Sequence, residues 1–240
     1  MQIKSARFLA SMKKKADYPE TGLPEIAICG KSNVGKSSLI NYLTNNSKLA
    51  KVSATPGKTR LVNFFVLNES FVLVDLPGYG YARVSRQEKL SWAEMVETYL
   101  NTTKNLRALL ILLDIRRKPN EDDRMMLKWA SVYGIPVIVV ATKADKIAKT
   151  KRPLALKALC AALSDVAYPA VAVSSQSRLG AEALLDEIEK AIKRRTSTRL
   201  ATCTFPASRP NQWTYSATTG LTTGRASGRS GSIRFRMTMS

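Results

Sequence analysis

Gly30-Lys31-Ser32-Asn33-Val34-Gly35-Lys36-Ser37 is a complete G-x-x-x-x-G-K-[ST] phosphate loop. Its two glycines let the backbone turn tightly enough for consecutive N–H groups to face one centre. Lys36 supplies a cation for the β- and γ-phosphates, and Ser37 a hydroxyl for Mg²⁺. Both flanks suit the motif. Glu25-Ile26-Ala27-Ile28-Cys29 is a short apolar run that reads as a strand, and Ser38-Leu39-Ile40-Asn41-Tyr42-Leu43 has helical spacing. Phosphates held here sit at a helix N-terminus, where the dipole and free N–H groups favour anions.

Working outward, strands and helices alternate from residue 25. Further strands are expected at Leu61 to Leu67, Phe71 to Asp75, Arg107 to Asp114, Pro136 to Ala141 and Pro169 to Val173. Helices are expected at Lys36 to Thr44, Arg86 to Asn101, Asn120 to Tyr133, Arg152 to Asp165 and Ala181 to Arg194. Only Asn68-Glu69-Ser70 separates two of the strands, so those two form an antiparallel hairpin. The other short apolar strands, set between helices, indicate parallel pairing. The fold class is therefore α/β, three layers, with a six-stranded, mostly parallel mixed sheet flanked by helices. Ligands of such sheets bind beyond the carboxyl ends of the strands.

Residues 1–24 read as a polar lead containing Lys13-Lys14-Lys15, residues 25–195 as the α/β domain and residues 196–240 as a disordered tail. Residues 201–240 hold five Arg and no Lys, Asp or Glu, with neither a helical nor a strand period. That abrupt change of composition suggests a different origin for the tail.

The composition narrows the chemistry. The chain has 240 residues, enough for a full core. No histidine is present, which excludes mechanisms that need an imidazole. Cys29, Cys160 and Cys203 form no zinc or disulfide pattern, and Cys29 reads as a small buried hydrophobe. The apolar run Ala108 to Leu113 is too short to span a bilayer, so no membrane partner is expected. A net charge of +20 favours polyanions, nucleic acid above all.

Three more motifs fall at predicted strand ends. Asp75-Leu76-Pro77-Gly78 is a D-x-x-G. Asp75 can hold the Mg²⁺ shell, and the Gly78 N–H can reach a γ-phosphate because no side chain blocks it. Thr142-Lys143-Ala144-Asp145 matches [NT]-K-x-D. The Asp145 carboxylate can accept guanine N1–H and N2–H together, a donor pair that adenine lacks. At Val173-Ser174-Ser175, backbone N–H groups are expected near guanine O6. Residues 52–60 form a segment suited to a switch loop, with Thr59 preferred over Thr55 as a Mg²⁺ ligand because it follows Pro56-Gly57 and lies nearer the next strand.

Together these motifs resemble the TRAFAC-class GTPases, and within them the EngB group. The residues carrying this are Gly30 to Ser38, Thr55-Pro56-Gly57-Lys58-Thr59, Asp75 to Ala82 (with Tyr79-Gly80-Tyr81-Ala82 the most specific), Leu113-Asp114-Ile115-Arg116, and Thr142 to Asp145. Arg117 stands where the family often has His, and Ser175-Gln176-Ser177 is a loose fifth motif. The resemblance implies that GTP or GDP contacts Gly30, Lys31, Ser32, Asn33, Val34, Gly35, Lys36, Ser37, Ser38, Gly57, Lys58, Thr59, Asp75, Leu76, Pro77, Gly78, Thr142, Lys143, Ala144, Asp145, Val173, Ser174 and Ser175. It implies Mg²⁺ at Ser37, Thr59 and Asp75, K⁺ at Asn33, and catalytic roles for Lys36, Thr59 and Gly78. It also implies a cytoplasmic monomer that assists assembly of the large ribosomal subunit, with rRNA and ribosomal proteins as partners.

Where Ras-like proteins have a water-orienting Gln, this chain has Tyr79, which cannot present a paired amide donor and acceptor. Slow intrinsic hydrolysis is expected, on the order of 10⁻⁴ to 10⁻³ s⁻¹. Arg83, Arg86, Arg116, Arg117 and Lys118 are candidate rRNA phosphate contacts or plain surface charge. Trp92 and Trp129 are expected to pack in the core. Three other readings stand beside the ribosomal one: a GTPase in tRNA modification or in cell division and septation, an RNA-binding protein with a structural nucleotide site, and, weakest, an ATPase.

Overall fold

The computed structural model describes residues 1–50, 61–79, 86–164, 166–194, 213–217 and 235–239. Nine strands are described: β1 Ala6–Met12, β2 Glu25–Gly30, β3 Val62–Leu67, β4 Phe71–Asp75, β5 Leu106–Asp114, β6 Val137–Thr142, β7 Ala170–Ala172, β8 Trp213–Ala217 and β9 Phe235–Met239. The helices are α1 Lys36–Leu43, α2 Arg86–Thr102, α3 Glu121–Val132, α4 Arg152–Leu163 and α5 Ala181–Lys193.

The main sheet has seven strands in the order β1-β3-β4-β2-β5-β6-β7. Pairing is parallel from β4 through β2, β5 and β6 to β7, and antiparallel for β1–β3 and β3–β4. The seventh strand corrects the expected six. Residues 6–12 lie within the expected polar lead, but they pair with β3 along the sheet edge. Their register shifts between Phe8 and Ala10, which breaks the two-residue period that would have marked a strand. The hairpin between β3 and β4 forms as expected. In its turn Asn68 and Glu69 both have positive φ, and Arg7 holds Glu69 through two hydrogen bonds of 2.8 and 2.9 Å.

Side chains alternate between two cores, as strand geometry requires. Ala27 and Cys29 of β2 join Leu109, Ile111 and Leu113 of β5 under α2, α3 and α4. Ile26 and Ile28 join Leu110 and Leu112 under α1 and α5. With both faces covered, β2 and β6 are buried along their whole length, which explains their unbroken apolar runs. Helix starts follow local chemistry. Asn120 and Asp123 form a capping box at α3, behind three acidic residues in its first turn. Gly180 caps α5 at φ +81°, where a Cβ would lie 2.2 Å from the Ala172 carbonyl oxygen.

In the tail, read from the sequence as disordered, β8 and β9 form a separate antiparallel pair. No helix among the described residues is long and apolar enough to cross a membrane.

Candidate nucleotide-binding site

The phosphate loop joins the end of β2 to α1, at the carboxyl edge of the sheet. Gly30 has φ +156°, and a Cβ there would meet both the Leu112 carbonyl oxygen and Val34 Cγ1 at 2.9 Å. Only glycine fits. Asn33 takes φ +61°, and Gly35 caps α1 at φ +109°. Gly35 offers no side-chain cap and the first turn holds no acid, so the opening of α1 presents its N–H groups and dipole to an anion.

Asp75 ends β4 beside this loop. It is 4% exposed, and its Oδ1 is buried with no hydrogen-bond partner. Burial pushes its carboxyl up to about 6, against the pull of the Lys36 cation. A buried carboxylate oxygen without a donor suits a divalent cation, and Ser37, in the first turn of α1, carries a second hard oxygen of the kind such an ion takes.

The chain continues alongside the loop. Leu76 N–H donates to the Ile28 carbonyl at 3.0 Å, Tyr79 N–H to Gly30 at 3.3 Å, and Ser32 N–H to the Tyr79 carbonyl at 3.1 Å. Gly78 thereby lies against the loop. A Cβ on it would come 2.9 Å from Lys36 Nζ and 3.2 Å from the Ser32 nitrogen. No side chain stands between this turn and the phosphate loop.

The base-recognition residues collect at the ends of β6 and β7. Thr142 Oγ1 donates to the Val34 and Leu113 carbonyls at 2.8 and 3.1 Å, which ties β6 to the phosphate loop. Lys143 takes φ +58° and sends Nζ to the Asn33 carbonyl at 2.9 Å. Asp145 Oδ1 accepts from Ser174 Oγ at 2.7 Å, and Lys146 Nζ lies 3.3 Å from Oδ2. The Ser174 hydrogen bond, joined by Lys146, holds the Asp145 carboxyl below its ordinary range. It is ready to accept as an anion.

Ser174 contributes differently from the expectation. Its N–H is committed to the Leu179 carbonyl at 3.0 Å, and the Val173 N–H to Ala141 at 2.8 Å. What Ser174 offers the loop is its hydroxyl, which holds Asp145 Oδ1. Of the three residues, Ser175 is the exposed one.

Several contacts were not legible in the sequence. Asp114, at the end of β5, accepts from Arg116 Nε and Nη2 at 2.9 and 2.6 Å, with Lys143 Nζ at 3.3 Å. Burial opposes its charge, but Arg116 and Lys143 outweigh that and hold the carboxyl well below its usual range. Arg116, a candidate phosphate contact, is thus engaged within the site wall. Arg152 Nε braces the recognition loop through the Ala144 and Ile147 carbonyls. Trp129 is buried against Tyr133, as expected, and Trp92 packs partly buried on the core while donating Nε1–H to the Pro77 carbonyl at 2.7 Å. Burial pushes the Cys29 thiol up, in keeping with an inert core residue. The segment with Thr55, Gly57, Lys58 and Thr59 lies outside the described residues, as do Gly80 to Ser85 with Arg83, and the side chain of Arg86.

Comparison with known proteins agrees with this geometry. The family described as "50S ribosome-binding GTPase" matches residues 25–143. A probable GTP-binding protein EngB from Caldanaerobacter subterraneus is 46% identical over 194 residues, covering 81% of this chain and 100% of that protein. One from Pelotomaculum thermopropionicum is 49% identical over 189 residues, covering 78% and 96%. A crystal structure of a probable GTP-binding protein engB shares the fold, with TM-score 0.58 at 22% identity over 71% of this chain and 100% of the other. With its phosphate loop, D-x-x-G turn and guanine-recognition loop assembled at one sheet edge, the chain belongs to the EngB family of GTP-binding proteins and is a GTPase.

Proposed function

We propose that the protein is a Mg²⁺-dependent GTP switch that acts, as a cytoplasmic monomer, in assembly of the large ribosomal subunit. The observation that carries the switch is the unpartnered, buried Asp75 oxygen next to Gly78 and Lys36. Ser37, Asp75 and, from outside the described residues, Thr59 would hold Mg²⁺, which supplies charge neutralisation at the phosphates. Lys36 and the loop amides bind the β- and γ-phosphates and stabilise the charge that develops between them. The Gly78 N–H reads the γ-phosphate, so loss of that phosphate is felt first at the turn 75–79. Asn33, whose side chain is exposed at the loop tip, is the proposed K⁺ ligand. Faster turnover in KCl than in NaCl is the expected result, and equal turnover would remove that ion from the account.

The ribosomal assignment is supported by the description of the matching family and by the net charge of +20, which suits rRNA phosphates. Arg117 and Lys118, exposed beside the site, are proposed phosphate contacts. Co-sedimentation with 50S subunits in GTP analogue, GDP or no nucleotide, at several salt concentrations, tests it. Retention favoured by the analogue is expected. Salt-sensitive retention that ignores nucleotide would mean bulk charge attraction and overturn the switch.

A further inference from the structure

Tyr79 stands where Ras-like proteins carry the water-orienting Gln, yet its ring is buried in the core, 6% exposed. Its hydroxyl donates to Asp123 Oδ1 at 2.9 Å, 44 residues along the chain. Its ring meets Trp92 edge-on, with centroids 6.1 Å apart. Trp92 in turn donates Nε1–H to the Pro77 carbonyl at 2.7 Å. The residues on both sides of Gly78 are thus fastened to different helices, Pro77 to α2 through Trp92 and Tyr79 to α3 through Asp123.

We infer that Trp92 and Asp123, acting through Pro77 and Tyr79, are positioning residues for GTP hydrolysis, holding Gly78 at the phosphate loop. None of them touches the reacting atoms. The anchor on α3 is stiff. Asp123 Oδ2 accepts the Asn120 N–H at 2.9 Å while Asn120 Oδ1 accepts the Asp123 N–H at 3.1 Å, so the carboxylate that receives the Tyr79 hydroxyl is fixed by the helix cap. The backbone of Tyr79 is held equally closely, by Gly30 on one side and Ser32 on the other. Gly78 itself has no side chain to pack, and a Cβ would strike Lys36 Nζ at 2.9 Å. Its placement is therefore set by its neighbours. A donor aimed at developing charge is worth most when its position is fixed before the reaction. Tyr79 accordingly serves catalysis by facing inward, where the Gln it replaces would face the attacking water.

The inference rests on the GTPase activity of the family and not on the ribosomal partner, so failure of subunit binding leaves it standing. The test is single-turnover GTP hydrolysis and GDP affinity in Tyr79→Phe and Trp92→Phe, which keep an aromatic ring at each position and remove one hydrogen bond each. Hydrolysis in each should fall about three- to tenfold, the worth of one positioning hydrogen bond, with GDP affinity within about twofold of the parent. Ile188→Val is the control. It trims the core on the other face of the sheet, away from Tyr79 and Trp92, and should lower the melting temperature while leaving hydrolysis unchanged. Hydrolysis within twofold of the parent in both ring variants would overturn the inference, as would a parallel loss of GDP affinity. Equal slowing by Ile188→Val would also overturn it, by reducing the clamp to general stability.

Discussion

The two carboxylates at opposite ends of the β2–β4 pair are both buried, and they are treated in opposite ways. Glu25, 1% exposed where β2 begins, receives hydroxyls from Tyr18, from Tyr99 at 2.7 Å and from Thr103 at 2.9 Å. Asp75, 4% exposed where β4 ends, keeps an oxygen with no donor. Burying an acid without partners is costly, and burying one with several donors is not. The Glu25 end is complete in itself and ties the N-terminal segment and the end of α2 to the sheet. The Asp75 end is left incomplete, open to the ligand proposed for it. The same sheet thus has a structural end and a functional end, distinguished by whether its buried polar groups are satisfied.

The largest expected effect tests the structural end. Glu25→Ala strands three hydroxyl donors and should destabilise the protein by about 3 kcal/mol. Calorimetry should show the melting temperature falling by several degrees, with GDP affinity of the surviving folded protein unchanged. A matching loss of affinity would show that the two ends are not separable.

The next effect has the opposite sign. Asp75 has its folded value raised to about 6 from 3.8, so the folded state binds the proton more tightly than the unfolded one. Its cost is absent below pH 3.8, grows as pH rises through about 6, and is fully present at pH 7. At about 1.4 kcal/mol per pH unit, the cost at pH 7 is at most about 3 kcal/mol. Without nucleotide, Asp75→Asn should therefore melt higher than the parent at pH 7, and the difference should close towards pH 4. A constant difference across that range would mean that the carboxylate is not the source.

The smallest effect sharpens the functional end. Ser174→Ala should weaken GDP binding about three- to tenfold by leaving Asp145 unaimed, with little change in melting temperature. Unchanged affinity in titration calorimetry would show that Asp145 needs no help.

The legible parts of this molecule are those whose signal is local. The phosphate loop and α1 are contiguous, the runs of β2 and β5 are apolar because both sheet faces are covered, and the base-recognition motif follows β6 directly. The segments of the functional end were therefore readable where a motif is contiguous, while the contacts that join distant segments were not. The structural end was not readable. Glu25 meets Tyr99 and Thr103 across 74 and 78 residues, and nothing in the sequence pairs them. β1 was hidden by its irregular register and by an edge position that leaves Phe8 50% exposed. For Tyr79 the sequence showed which chemistry was lost. The direction of its ring depends on Asp123 and Trp92, which only the fold brings near. The Asp114–Arg116 pair lies two residues apart, but its purpose appears only when Lys143 arrives from β6.

The most direct measurement is a pair of melting curves at pH 7 for the parent and Asp75→Asn, with and without Mg²⁺ and a GTP analogue. Ligand that completes the Asp75 site stabilises in proportion to its affinity. The order should invert, with Asp75→Asn melting higher alone and the parent melting higher when Mg²⁺ and the analogue are present. The same order in both conditions would contradict it, because Asp75 would then lack one of its two roles, the cost to the empty protein or the gain to the filled one.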